Sequence, residues 1–517
     1  MIYSPGRKSQ SRLKSYLEEA SFYDKLISQR RKSKAICKQL SENLSTSLRK
    51  HKNKKRKKYK KNVDNEGNFV KINPKNTYWY MNYIKYPNLE CPQFKRKFKL
   101  RFRLPYQSYI HLLDKIKCHK MFSRWHNKIR NRPGPNSNPI SLLLLGTLRY
   151  LGRGWTFDDL EESTGISQEV HRLFFHQFIK FGSEVLYSEY VRYPKNKQES
   201  LLHTKEYEMA GMHGAIGSMD ACHVIIEKCS HRLRQNHLGG KSKLTCRSFN
   251  LTCNHRRQIL HSTPGNPARW NDKTIILFDQ LALDLRNKKI MNDNIFELLQ
   301  HDDNGAVIKV KYGGAWLLVD NGYLNWGITI PPMKNTLYIT QTRWSEWLES
   351  MRKDVECTFG ILKGRFRILK AGIRCWGVKV ADNIWLTCCA LHNMLLEVDG
   401  IDGSWDGIDG QFDFDENADN LPFALQRLHS AAERRNYDTS GMGPGFVNSD
   451  SEFEYDEEDM SIPIEETMYE YLQINEININ GINDVRNLTA EYFQFKLIEH
   501  FDILFKQYNI KWPRKQN

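Results

Sequence analysis

The sequence predicts an α/β protein, a mixed sheet flanked by helices and preceded by a helical unit. Three observations carry this. Between residues 210 and 400, β-rich apolar runs and helical patterns follow the order strand, strand, strand, helix, strand, helix. Ahead of them, 136–182 reads as two short helices joined through a glycine turn. The flanks are charge-biased: residues 1–61 carry 20 Lys or Arg against 4 Asp or Glu, and 397–470 carry 21 acidic residues against 3 basic. Such segments bury too little apolar surface to fold, so a disordered basic N-terminal and a disordered acidic C-terminal segment are expected.

A length of 517 residues, 40% of them hydrophobic, allows several domains with a sizeable core. The division read from the sequence is a basic arm at 1–75, a helical domain at 76–200 with a helix-turn-helix-like unit at 136–182, and an α/β domain at 210–400. An acidic segment at 401–470 and a helical tail at 471–517 complete it. The 11 cysteines are odd in number and form no CxxC pair, which argues against a disulfide framework or a zinc site and for reduced thiols in an intracellular protein. No apolar run approaches eighteen residues and the N-terminus has no signal-peptide core, so a soluble protein without a membrane partner is expected.

In the arm, 16–40 reads as a transient helix. The run RKHKNKKRKKYKKN (49–62) reads as a nuclear import signal, a DNA-backbone arm, or both, so the nucleus is the expected location. In FKRKFKLRFRLPYQSYIHLLDKI, a strand-like segment is followed by a helix starting after Pro105. Its basic–aromatic alternation suits nucleic-acid contact and core packing equally. In the helix-turn-helix-like unit, Pro139 opens the first helix, Thr156 caps the second, Gly165 makes the turn and Ser167 caps the third. Gln168, Glu169, His171 and Arg172 then begin a recognition helix, with Arg172 a candidate DNA contact. A bundle that only braces the next domain remains open, since Asp158, Asp159, Glu161 and Glu162 do not favour a phosphate surface.

The α/β domain begins with HGAIGSMDACHVIIEK, where Asp220 interrupts an apolar strand. A basic loop with Arg232, Lys241 and Lys243 follows, then the strands KLTCRSFNLTCN and RQILHSTPG, and a helix over 271–289 capped by Asn271. Ala315 to Val319 forms a strand that delivers Asp320 at its carboxyl end, before an Asn-Gly turn. After a Pro-Pro loop, Trp344, Leu348, Met351, Val355, Phe359 and Leu362 recur at helical spacing and present Glu356. Asp354 cannot share that face, being about 200° away around the helix. On the last helix, His392 and Asn393 read as a satisfied polar core pair. The segment TAEYFQFKLIEHFDILFKQYN is an amphipathic helix that should dock on the body or on a partner.

A carboxylate amid strand residues costs several kcal/mol to bury unless it is paired or binds a metal. Asp220 has no Lys or Arg nearer in sequence than Lys228, which points to a cation. Asp220, Asp320 and Glu356 would form an all-oxygen site suited to Mg²⁺ or Mn²⁺, and two ions there would clamp a phosphodiester displacement. Arg352 and Lys353 before Glu356, with Lys363 and Arg365 after it, are candidates to steer phosphate.

The blocks GSMDACHV, LLVDNGYL and RKDVECTFGILKGRFRIL, supported by GNPARWNDKTIILFDQL and CCALHNMLLEVDG, resemble the catalytic blocks of the PIF/Harbinger group of DDE transposases. The resemblance runs from about Ser141 to Gly400. It implies an RNase H-like fold, with Asp220, Asp320 and Glu356 as catalytic metal ligands for DNA cutting and joining. It also implies DNA as partner and a Myb-like DNA-binding helper protein, with homo-oligomerisation left open. The chain departs from the family pattern at Ala221 and Cys222, where a Gly and a hydroxyl residue are more usual, and at Asn321, which replaces a smaller residue. The alternative is a domesticated DNA-binding or scaffold protein derived from a transposase, without turnover.

Overall fold

The computed structural model describes residues 73–126, 138–239, 244–398, 482–507 and Ile510, all within one compact unit, Ile72–Asn517. The basic run 49–62, the helix expected at 16–40, the acidic segment 401–470, and Lys241 and Lys243 lie outside the described residues.

The helical section begins with α1 (Pro92–Phe102) and α2 (Tyr106–Cys118). The first corrects the strand-like reading of FKRKFKLRF. Its alternating pattern competes with a four-residue repeat, Phe94, Phe98 and Phe102, and the repeat wins. Phe98 and Phe102 are buried, whereas Leu100, which alternation would place beside them, is 54% exposed. Next come α3 (Ile140–Arg153), α4 (Phe157–Thr164) and α5 (Gln168–Phe181). Gly154 and Gly165 end α3 and α4 at φ of 70° and 65°, in the left-handed region where a side chain is disfavoured. Thr156 and Asp159 form the capping box of α4. The cap and turn residues read from the sequence thus stand where expected. His171 does not: it is buried, its Nε2 lying 2.7 Å from the Thr164 hydroxyl, so it belongs to the core and not to a reading surface.

Helix α6 (Lys197–Met209) leads into β1 (Ala215–Ile225), β2 (Cys246–Cys253), β3 (Ile259–Ser262) and the short β4 (Asn266–Pro267). The expected helix over 271–289 is broken. A turn of helix, Asp272–Ile275, passes through a 3-10 segment into α7 (Gln280–Arg286), whose cap is Asp279. A hairpin absent from the sequence reading follows, β5 (Ile295–His301) and β6 (Val307–Gly313), before β7 (Trp316–Leu318) and β8 (Thr329–Ile330). Then come α8 (Ile339–Arg365), α9 (Arg367–Ala371), α10 (Val378–Val398), β9 (Asn483–Asp484) and α11 (Ala490–Lys506).

The main sheet has the order β3-β2-β1-β7-β8, with β4 also on β2. β1, β2 and β3 are antiparallel neighbours, whereas β7 runs parallel to β1 and to β8. The sheet is therefore mixed, as the strand–strand–strand beginning predicts. β5, β6 and β9 form a second, three-stranded sheet on which α11 docks. α8 joins two cores: Val355, Phe359 and Leu362 pack with the helical section, and Trp344, Leu348 and Met351 pack with β7, the second sheet and α11. The ten described cysteines are all free, and none of the described helices is long and apolar enough to cross a membrane. His392 and Asn393 are buried with their polar atoms paired. His392 Nε2 meets the Arg257 carbonyl at 3.0 Å, and Asn393 donates to the carbonyls of Tyr190 and Ile259.

Five buried histidines set the acid limit of this fold. Burial holds His171, His203 and His237 down to about 4, and His392 and His500 to about 3, against an ordinary 6.5. The unfolded chain therefore takes up protons first, and stability present above pH 6.5 is lost as pH falls below it. The loss is up to about 1.4 kcal/mol per pH unit for each histidine. The melting temperature should drop steeply between pH 7 and pH 5. A flat profile over that range would show that these imidazoles are not buried neutral.

Candidate functional site

Asp220 and Asp320 are brought together by strand register. Ser218 of β1 pairs with Leu318 of the parallel β7, and each aspartate lies two residues beyond its half of that pair. Two residues on, a strand returns to the same face, and neighbouring strands are about 4.8 Å apart. Asp220 accepts from the N–H of Ala221 at 2.7 Å, and Asp320 from the N–H of Gly322 at 2.9 Å. Asp272 joins them at the start of its helical turn. A Cβ placed on Gly322 would stand 2.7 Å from Asp272 Oδ2 and 3.0 Å from Asp320 Oδ1, so the glycine keeps the space between these two carboxylates open.

Helix α8 crosses β1 at this point. The Ser218 hydroxyl donates to the Met351 carbonyl at 3.5 Å, and Lys363 Nζ donates to the His223 carbonyl at 3.1 Å. The next residue after Met351 is Arg352, whose guanidinium spans two carboxylates. Nη1 lies 3.4 Å from Asp220 Oδ2 and Nη2 lies 3.1 Å from Glu356 Oε1. The partner that Asp220 lacks in its own stretch is thus an arginine 132 residues away. Glu356 is half exposed, while Asp354 on the opposite side of α8 is buried beside His255 and Arg257, as the helical geometry requires.

The electrostatics follow. Burial raises Asp220 to about 7, against the Ala221 hydrogen bond and Arg352, which lower it; Asp320 and Asp272 raise it further. Tyr323, buried behind the site in the field of Asp220, Asp272 and Asp320, is held well above its ordinary value and stays a donor. Its hydroxyl donates to Asn250 Oδ1 at 2.6 Å, and the Asn250 amide donates to Asp279 at 2.8 Å, tying the turn after β7 to β2 and to the cap of α7. The sequence reading passes over Asp272 and Tyr323. The signal for Asp272 is its place directly after the helix cap Asn271.

The donors are oxygen-only carboxylates, and the space beside Gly322 lies between two of them, so their chemistry fits a hard cation. They do not form a ready-made coordination sphere: among the described residues no group of three or more His, Cys, Asp or Glu is arranged to hold a metal ion. Of the other candidates, Lys353 and Arg232 are exposed. Arg172 is exposed and paired with Glu169 at 2.7 Å. Arg365 is partly buried, with Nη1 3.3 Å from His392 of α10.

Asp220 yields a stability prediction. Its folded value lies above the ordinary 3.8, so stability falls as pH rises from about 4 to about 7, and the full cost is present at pH 7.5. Without divalent metal, Asp220→Asn should melt higher than the native protein at pH 7.5, and the gap should narrow at pH 5. A lower melting temperature at pH 7.5 would mean that the ion pair with Arg352 outweighs the burial cost.

Residues 188–402 match the model of a protein family described as plant transposon protein. The match covers less than half of the chain and takes in Asp220, Asp320 and Glu356, so this stretch is similar to that transposon family. No curated protein and no solved structure matches the chain.

Proposed function

We propose that this protein is a DDE-type transposase of the PIF/Harbinger kind, a metal-dependent DNA endonuclease that cuts and rejoins phosphodiesters at Asp220, Asp320 and Glu356. The observation that carries the reading is the parallel β1–β7 register, which sets Asp220 of β1 beside Asp320, two residues past the end of β7, with Glu356 joined to Asp220 through Arg352. Support for an RNase H-like fold comes from the sheet order, with three antiparallel strands followed by two parallel ones and α8 crossing β1. Support for the activity class comes from the transposon family match.

In this reading Asp220, Asp320 and Glu356 hold Mg²⁺ or Mn²⁺, two ions in all, and the ions supply Lewis acidity to the phosphodiester. The chain's own groups do the rest. Asp220, raised by burial, gains a cation's charge in place of a proton. Tyr323 and Asn250 hold the turn that carries Asp320. Lys353, Lys363, Arg232 and Arg172 contact phosphates, and Arg352 offers positive charge beside the reacting group. DNA is the partner, a Myb-like protein helps in end recognition, and the run 49–62 directs the chain to the nucleus.

A second reading, a transposase-derived scaffold without turnover, is favoured by one observation: Arg352 already pairs with both Asp220 and Glu356. Cleavage of labelled duplex in Mn²⁺, measured beside binding by fluorescence anisotropy, separates the two. Asp320→Ala and Glu356→Gln should bind DNA as well as the native protein, because affinity comes mainly from Lys and Arg contacts to phosphates. They should cut several orders of magnitude more slowly, because losing a cation ligand costs several kcal/mol in the transition state at about 1.4 kcal/mol per tenfold. Mn²⁺ should also raise the melting temperature of the native protein and not that of Asp320→Ala. Absence of metal-dependent cleavage in the native protein sinks the endonuclease reading.

Localisation has its own test. Deleting 49–62 should abolish nuclear accumulation of a fluorescent fusion while leaving cleavage of naked DNA measurable. Nuclear retention of the deletion would exclude this run as the sole import signal.

A further inference from the structure

Arginines surround the carboxyl end of α3, away from the carboxylates. Arg103 donates Nε–H to the Gly152 carbonyl at 3.5 Å, and Arg374 donates to the Gly154 carbonyl. Arg149 donates to the carbonyl of Arg101 at 3.0 Å and lies over the Trp155 ring, 4.1 Å from its centroid. Arg101 itself bonds the Tyr83 hydroxyl, Arg153 is the last residue of α3, and Arg367 opens α9 within the field of Arg103. These six guanidinium groups come from four segments of chain. None of them forms an ion pair with a carboxylate among the described residues, although the exposed Glu227 lies in the field of the neighbouring Tyr150.

Their mutual repulsion registers in their acidity. Arg103 is lowered to about 10 by burial and then by Arg153 and Arg367. Arg149 is lowered to about 10 by burial and then by Arg153 and Arg101. Cations do stabilise a helix's carboxyl end, and that is the plain structural account of one or two of them. The helix end, however, presents only about half a negative charge. Six full positive charges exceed it by roughly an order of magnitude. The collar therefore lacks an anion.

The chemistry of the groups indicates which anion. Guanidinium forks match pairs of phosphate oxygens. The groups are spread over four segments, with Trp376 beside Arg374 and 66% exposed, which suits an extended polyanion better than a single small ion. Placement relative to the carboxylates matters too. Glu356 lies about 13 Å of α8 before that helix ends at Arg365, and α9 with Arg367 begins directly after it. A duplex reaching Glu356 would therefore pass within reach of the collar.

We propose that the arginine collar at the end of α3 binds the phosphate backbone of duplex DNA, flanking the segment presented to Asp220, Asp320 and Glu356. The proposal rests on the reading that the chain acts on DNA. It is independent of whether the chain cuts DNA.

The test is a salt series of duplex binding with the full-length protein, read by fluorescence anisotropy. Arg153→Gln with Arg367→Gln removes two phosphate contacts from the more accessible part of the collar. The slope of log affinity against log salt should become shallower by about 1.8, with a loss of more than tenfold at low salt. Arg153→Lys with Arg367→Lys keeps the charges and should restore most of the slope. Lys309→Gln with Lys311→Gln, on the exposed β6, removes the same net charge and should leave the slope unchanged, and the melting temperatures of all variants should match. An unaltered slope in the arginine variant, an equal loss in the lysine control, or tighter binding of single-stranded RNA than of duplex DNA would each overturn the proposal. Collar-dependent binding without cleavage leaves it standing and sinks the endonuclease reading, whereas cleavage with collar-independent binding does the reverse. Failure of the native protein to bind duplex DNA overturns both.

Discussion

A buried negative charge is the constraint on which this structure turns. Asp220 sits in β1 between Met219, which belongs to one core, and Cys222, which belongs to the other. Arg352 and Glu356 occupy the matching place on α8, between Met351 of the second core and Val355 of the first. The carboxylates thus lie at the seam between two apolar cores, where each strand and helix is held firmly on both sides. A polar group in either core would cost several kcal/mol without a partner. At the seam it can be partly solvated and positioned by its neighbours. Burial lifts Asp220 to about 7, and the parallel register that brings Asp320 alongside adds to that rise.

The helical section and α11 make that seam rigid. α8 is one continuous helix whose two halves are buried in different cores, so neither half can shift without unpacking the other. Buried polar contacts fix the crossing more narrowly than apolar packing does. Thr358 bonds back to the Asp354 carbonyl and meets Cys253 of β2 at 3.5 Å, and Asp354 itself is held by His255 and Arg257. The carboxylate two residues before Glu356 therefore clamps the helix, while Glu356 itself stays half exposed beside Arg352.

Much of this was legible in the sequence because the signals were local. The apolar spacing from Trp344 to Leu362 gave α8 and its buried face, all six positions being buried. Thr156 and Gly165 marked a cap and a turn that need only a few residues to act, and Ser167 marked the start of α5, although its side chain makes no capping hydrogen bond. The misreadings arose where two local signals competed or where the signal was not local. In α1, alternation and a four-residue repeat coexist, and only tertiary packing on Tyr83, Tyr106 and Tyr109 decides between them. The hairpin β5–β6 leaves Ile295, Val307 and Ile308 exposed, so its apolar residues do not trace one buried face to read. At the candidate site, Asp220, Asp320 and Glu356 were visible as residues. The Arg352 bridge was not, because no spacing rule connects positions 132 residues apart. His171 looked like a reading residue because helix order was legible but the rotation of α5 was not.

The distribution of charge keeps the acids and the bases of this fold apart. Asp220 and Glu356 share the Arg352 guanidinium, while the collar's arginines form no ion pair with a carboxylate among the described residues. Mixing the two sets would neutralise both at short range and leave neither a cation site nor a phosphate site. The collar lies at the end of α3, and its nearest point along the chain to Glu356 is Arg367, which opens α9 after the roughly 13 Å of α8 from Glu356 to Arg365. At physiological ionic strength exposed charges farther apart than about 8 Å are largely screened, so the two fields overlap little. Each field therefore keeps its own sign, and α8, held in both cores, fixes the spacing between Glu356 and the start of α9.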